Sequence, residues 1–159
     1  MKCEAVRLVE LLTEKRLRIV VAESCTGGLI GSLLAAIPGA SDVFWGGFTT
    51  YTVDAKQKML GIDAALLERY GAVSEECARA MSASALKSAK ADIALSVTGL
   101  AGPGGDGSLN PVGTVWVGGL RRGVPPLANI YHFAGSRGRI RAEAAAAALK
   151  LGIYLAEKF

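Results

Sequence analysis

Apolar positions recur with helical spacing at the start of the chain. Val6, Leu8, Val9, Leu11 and Leu12 crowd one face, while Glu10, Glu14, Lys15 and Arg16 lie elsewhere, so residues 4–16 are expected to form an amphipathic helix. The period then changes. The run from Arg18 to Ala22 reads as a buried strand, and it leads through Glu23-Ser24-Cys25-Thr26-Gly27-Gly28 into a helix expected over about 26–37, closed by Pro38-Gly39. A strand-rich run at 43–52 follows. Short helices are expected at 56–60 and 64–70, separated by Gly61. Ser74-Glu75-Glu76 opens a longer helix reaching about Lys90, because a serine cap followed by acids suits the unpaired amides and the positive end of the helix dipole. The second half reads as a strand at 92–97, a glycine-rich stretch at 98–107, strands at 113–120 and 128–133, and a helix at 137–157. Five strands interleaved with helices predict a three-layer α/β domain. At least one strand is antiparallel, since the connection at 121–126 is too short for a helical crossover.

Composition narrows the classes. A chain of 159 residues fits one domain, and at that length about 70% of the unfolded surface can be buried. Apolar residues make up 51% but aromatics only 6%, and much of the remainder is Ala and Gly, which implies close helix-to-sheet packing. No apolar stretch approaches the roughly 18 residues of a membrane span, and Met1-Lys2-Cys3-Glu4 begins an amphipathic segment, not a signal peptide. The expectation is a soluble, cytoplasmic protein without membrane contact. Cys3, Cys25 and Cys77 form no CxxC and suggest no disulfide framework, and the single histidine, His132, speaks against a His-based metal site. No metal and no cofactor are expected. The net charge of +4 is dispersed apart from Arg137, Arg139 and Arg141, without aromatic-basic interleaving, so nucleic acid is not the expected partner. Ala- and Gly-rich surfaces leave room for subunit packing, and homo-oligomerisation is the expectation.

Four stretches carry candidate chemistry. Ser24-Cys25-Thr26-Gly27-Gly28 lies at a strand's carboxyl end, where amides of the following helix open toward a crevice and favour an anion or a developing oxyanion. A helix cap by Ser24 or Thr26 would explain the same residues. "TGLAGPGGDG" at 98–107 also follows a strand, and its glycines allow close backbone approach to a ligand; a flexible surface loop is the alternative. In residues 46–62 a strand carrying Tyr51 passes into a short helix carrying Lys56. A lysine desolvated near a serine can serve as general base where no histidine does, although Lys56 beside Lys58 also reads as a solvated cation. Lastly, Arg137 and Arg141 lie four apart on one helical face at a helix N-terminus, where a cation opposes the dipole unless it meets an anion. Solvation, or pairing with Glu143 or Asp106, would also account for the arginines.

Taken together, residues 22–28, Tyr51 through Lys56 to Leu60-Gly61, Gly71-Ala72-Val73-Ser74, residues 98–105 and Pro111-Val112-Gly113-Thr114-Val115 resemble the CinA C-terminal domain family, in order and over nearly the whole chain. The resemblance implies a nicotinamide-nucleotide amidase that hydrolyses the carboxamide of nicotinamide mononucleotide to nicotinate mononucleotide and ammonia. It implies a three-layer α/β/α sandwich with a mixed five-stranded sheet, similar to anticodon-binding domains, in the stand-alone form. Ser24 matches the family's serine.

Two functional expectations follow. In the first, Ser24 attacks the carboxamide, Lys56 takes and returns the proton, Tyr51 and Thr98 support the proton path, and amides of Thr26, Gly27 and Gly28 hold the oxyanion. Cys25 is the rival nucleophile. Gly99, Gly102 and Gly104 approach the nucleotide, and Arg137 and Arg141 its phosphate. In the second, the same loops hold a nucleotide or phosphate without chemistry, as a regulatory module.

Overall fold

The computed structural model describes residues 1–158. Six α-helices, α1 (Lys2–Lys15), α2 (Leu29–Ala35), α3 (Val53–Leu60), α4 (Ala64–Tyr70), α5 (Glu75–Ala89) and α6 (Arg137–Lys158), enclose strands β1 (Ile19–Glu23), β2 (Phe44–Thr49), β3 (Ile93–Gly99), β4 (Thr114–Arg121) and β5 (Leu127–His132). The sheet order is β2-β1-β3-β4-β5. β1 runs parallel to both β2 and β3, and the β3-β4 and β4-β5 pairs are antiparallel. This is the expected three-layer arrangement with a mixed five-stranded sheet.

Strand alternation builds two cores. Ile19 and Val21 face α1, α2 and α6, whereas Val20 and Ala22 face α3, α4 and α5. Covered on both sides, β1 is apolar at consecutive positions. The scarcity of aromatics lets the helices sit close. A Cβ at Gly118 would lie 2.2 Å from Ser96 Oγ and 2.7 Å from the Ala78 carbonyl of α5, and one at Gly119 would meet Leu151 and Leu155 of α6. Gly118→Ala is therefore expected to cost about 1–3 kcal/mol through overpacking. Calorimetry should show a Tm lowered by several degrees, and an unchanged Tm would contradict the close seating of α5.

Several boundaries differ from expectation. α2 begins at Leu29, not near Thr26, because Gly27 (φ 59°) and Gly28 (φ 93°) take the left-handed conformation and break the helical path. α3 begins a turn early, at Val53, where Thr52 Oγ1 accepts from the Ala55 amide at 3.1 Å. β2 ends at Thr49, so Tyr51 lies beyond the strand. No helix among the described residues is long and apolar enough to cross a membrane.

Topology places the site. After β1 the chain crosses through α2 on one face to reach β2; after β2 it crosses through α3, α4 and α5 on the other face to reach β3. Connections that leave adjacent parallel strands on opposite faces open a crevice at their carboxyl ends. Ser24 follows β1 at that edge, and Leu100 follows β3.

Candidate active site

Ser24 sits on the first peptide beyond β1, its amide bonded to the Val97 carbonyl of β3 at 2.9 Å. Its hydroxyl is 2.9 Å from Lys56 Nζ, which also donates to the Thr50 carbonyl at 2.9 Å. Lys56 and Leu60 form the inward face of α3, and Lys56 is only 1% exposed. Among the described residues, no carboxylate bonds to this amine. Burial holds the Lys56 amine below the ordinary lysine value of 10.5, opposed only by weaker attraction to the Cys77 and Cys25 sulfurs. An unprotonated amine has two N–H donors and one lone pair. With one donor on Thr50, the lone pair is available to the Ser24 hydroxyl proton.

The turn after Ser24 is held by a buried carboxylate and a half-buried guanidinium. Glu23, the last residue of β1, is 1% exposed. Its Oε2 accepts from the amides of Gly28 (3.1 Å) and Ile30 (3.0 Å), and its Oε1 from Gly31 (2.8 Å). From α6, Arg141 donates Nε to the Cys25 carbonyl at 3.1 Å and its terminal nitrogen to the Thr26 carbonyl at 2.6 Å. The Gly27 amide closes onto the Ser24 carbonyl at 2.9 Å.

Beside Ser24 opens a pocket of about 180 Å³, walled by Cys25, Tyr51, Arg137 and the loop residues Gly99, Gly102 and Gly104 with Leu100 and Ala101. A Cβ at Gly99 would fall 2.7 Å from the Thr114 carbonyl, so only glycine lets β3 and β4 meet there as the chain turns into the pocket wall. Arg137 joins three elements at the mouth: it donates to the Gly102 carbonyl at 2.7 Å and to the Tyr51 hydroxyl. Asn110 ties the far end of the loop to the Val73 carbonyl at 3.2 Å.

The structure thus brings together Ser24, Lys56, Cys25, Tyr51, Gly99, Gly102, Gly104 and Arg137, but redistributes several roles. Tyr51 is half exposed and its hydroxyl meets Arg137, not the Ser24–Lys56 pair, because it lies beyond β2 on the open side of the crevice. Thr98 spends its hydroxyl on the Ala72 carbonyl at 2.6 Å, fastening β3 to the α4–α5 connection. The amides of Gly27 and Gly28 are engaged by Ser24 and Glu23 and do not face an oxyanion. Ser24 and Thr26 do not cap α2, since Glu23 takes the amides. Thr26 is fully buried, its Oγ1 without a hydrogen-bond partner among the described residues. Arg141 faces turn carbonyls in place of phosphate. Arg139, not Arg137 or Arg141, pairs with Glu143, at 3.0 Å. Ser24 lines the pocket and is 7% accessible. Glu23 is the buried carboxylate of this site that no sequence expectation singled out; a carboxylate closing an otherwise apolar strand was the available signal.

Burial also separates the two rival nucleophiles. It pushes the Cys25 thiol up to about 11, leaving it protonated at neutral pH. Among the described residues, no group of three or more His, Cys, Asp or Glu side chains is placed to hold a metal ion.

With this geometry in view, residues 3–155 match the sequence profile of the CinA C-terminal domain. The chain belongs to that family. It is 51% identical over 111 residues to the CinA-like protein of Chlorobaculum tepidum, covering 70% of this chain and 26% of that protein. To the CinA-like protein of Thermotoga maritima it is 41% identical over 143 residues, covering 90% and 35%. The chain spans about a third of the length of the curated relatives it matches. Solved structures match it end to end. The competence/damage inducible protein CihA of Agrobacterium tumefaciens superposes with a TM-score of 0.94 at 39% identity, covering 97% of this chain and 94% of that one. A CinA superfamily protein of Klebsiella pneumoniae gives 0.95 at 31%, covering 99% and 98%.

Proposed function

We propose that this chain is a serine amidohydrolase that converts nicotinamide mononucleotide to nicotinate mononucleotide and ammonia. The observation that carries the reading is the buried 2.9 Å contact between Ser24 and a lysine whose charge burial disfavours. A protein that only binds a nucleotide gains nothing from burying that amine.

The unprotonated Lys56 takes the Ser24 proton as Oγ bonds to the carboxamide carbon. The resulting oxyanion is met by the amides of Cys25 and Thr26, the turn's remaining donors, in the manner of other acyl-transfer sites. The Lys56 ammonium then protonates the departing amine, the C–N bond breaks, ammonia leaves, and the nicotinoyl group stays on Ser24 as an ester. Lys56, again unprotonated, accepts a proton from water attacking that ester; the carboxylate product departs and Ser24 recovers its hydrogen. At about 180 Å³ the pocket is smaller than a full small-molecule site, which usually spans roughly 300–1,000 Å³. The ring therefore occupies the pocket, and the ribose phosphate extends toward Arg137 at its mouth.

Product analysis tests this reading: one ammonia and one nicotinate mononucleotide should form per nucleotide consumed. A chain that binds the nucleotide yet returns it unchanged is a binding module and refutes the amidase reading. Arg137→Ala should raise KM for the mononucleotide about 10-fold or more while barely changing the weaker hydrolysis of nicotinamide riboside, which lacks the phosphate. Equal losses on both substrates would mean that Arg137 serves only the Tyr51–Gly102 contact.

A further inference from the structure

We propose that Glu23 is a positioning residue for the Ser24 nucleophile, holding its turn from the amide side while Arg141 holds it from the carbonyl side. The proposal rests on the reading of Ser24 as nucleophile and goes beyond it. Successive side chains of a strand point to opposite faces of the sheet. Ile19, Val21 and Glu23 face α2 and α6, whereas Val20, Ala22 and Ser24 face α3, from which Lys56 reaches the hydroxyl. Glu23 and Ser24 are thus two arms of one lever. Rotation of the backbone between them that freed Glu23 from α2 would swing Oγ away from Nζ.

The bonds on this lever are numerous for so short a turn. Glu23 accepts three amides, from Gly28, Ile30 and Gly31. Arg141 reaches the Cys25 and Thr26 carbonyls from the other side. Gly27 and Gly28 adopt left-handed φ, a path that side chains rarely follow. Held at its amides by a carboxylate and at its carbonyls by a guanidinium, the turn keeps one orientation of its peptide planes. Glu23 also occupies the N-terminal amides of α2. Those amides are therefore unavailable to a substrate anion.

The test compares Glu23→Gln, Glu23→Ala and Arg141→Lys with wild type, well below each variant's Tm. Two rates are read: ammonia release from nicotinamide mononucleotide, and labelling of Ser24 by a fluorophosphonate. In the labelling, Oγ forms the P–O bond, fluoride leaves and Lys56 receives the proton. Glutamine keeps one acceptor oxygen but turns an NH₂ toward an amide, so Glu23→Gln should lower both rates about 10-fold. Glu23→Ala, which leaves three amides without an acceptor, should lower them about 100-fold, the scale of a 1 Å misplacement. Lysine lacks the fork needed for two carbonyls, so Arg141→Lys should also lower both rates. KM should stay within about twofold and the pH profile should keep its midpoint, because neither substrate contacts nor Lys56 are altered. A stability role alone would leave kcat of the folded variants at the wild-type value and would overturn the proposal, as would a loss expressed in KM. Should Glu23→Ala fail to fold, Glu23→Gln decides. If wild type itself releases no ammonia and leaves Ser24 unlabelled, the amidase reading falls and Glu23 is only a helix cap.

Discussion

Lys56→Met is expected to lower kcat for ammonia release by about 100- to 10,000-fold, the usual contribution of a positioned general base. Lys56→Arg is expected to do no better, even though it preserves a cation, because a guanidinium does not lose its proton in a protein. The arginine variant separates base catalysis from electrostatic stabilisation: if a positive charge were the requirement, it would retain activity. The pH dependence carries the same distinction. Burial lowers the pKa of Lys56 from 10.5. Only the unprotonated amine accepts the Ser24 proton, so kcat/KM should rise with pH along a single ionisation whose midpoint lies below 10.5. Below that midpoint the rate should fall about tenfold per pH unit as the ammonium form takes over. A midpoint at or above the ordinary lysine value would contradict the burial effect. A profile unchanged in the Lys56 variants would remove Lys56 from the mechanism.

Ser24→Ala is expected to be the most damaging single substitution, with a loss of about 10,000-fold or more, since it removes the atom that forms the covalent intermediate. The fold should survive. The hydroxyl makes one side-chain hydrogen bond, to Lys56, and the turn is held by Glu23 and Arg141. Cys25→Ala should keep activity within severalfold of wild type. Although Cys25 lines the pocket, burial pushes its thiol up to about 11, so only about one molecule in 10,000 carries the thiolate at pH 7. The pair of variants therefore assigns the nucleophile by opposite outcomes, and a dead Cys25→Ala beside an active Ser24→Ala would reverse the assignment.

The layers of this protein were legible where burial writes itself into periodicity. β1 and β3 are apolar at consecutive positions because both faces are covered, and α1 alternates because only one face is. The short connection at 121–126 already required an antiparallel pair, which β4 and β5 form. The site was legible more by chemistry than by spacing. Lys56 next to Lys58 reads equally well as a solvated cation, and only α3, turning Lys56 inward with Leu60, distinguishes the two. The roles of Tyr51, Thr98 and Arg141 depend on side-chain direction at the ends of elements. That direction is set by tertiary contacts between residues 26 to 115 positions apart and has no periodic signature. Glu23 was hidden for a related reason. Its partners are amides that become free only because α2 starts three residues later than Thr26 suggested.

Whether Ser24 makes this chain an amidase is decided by ammonia release from nicotinamide mononucleotide, measured side by side for wild type and Ser24→Ala under one condition. Wild type should release stoichiometric ammonia and nicotinate mononucleotide, and a folded Ser24→Ala should show no turnover above background. Near-equal rates in the two proteins, or a wild type that binds the nucleotide and releases no ammonia, would contradict the serine amidase reading.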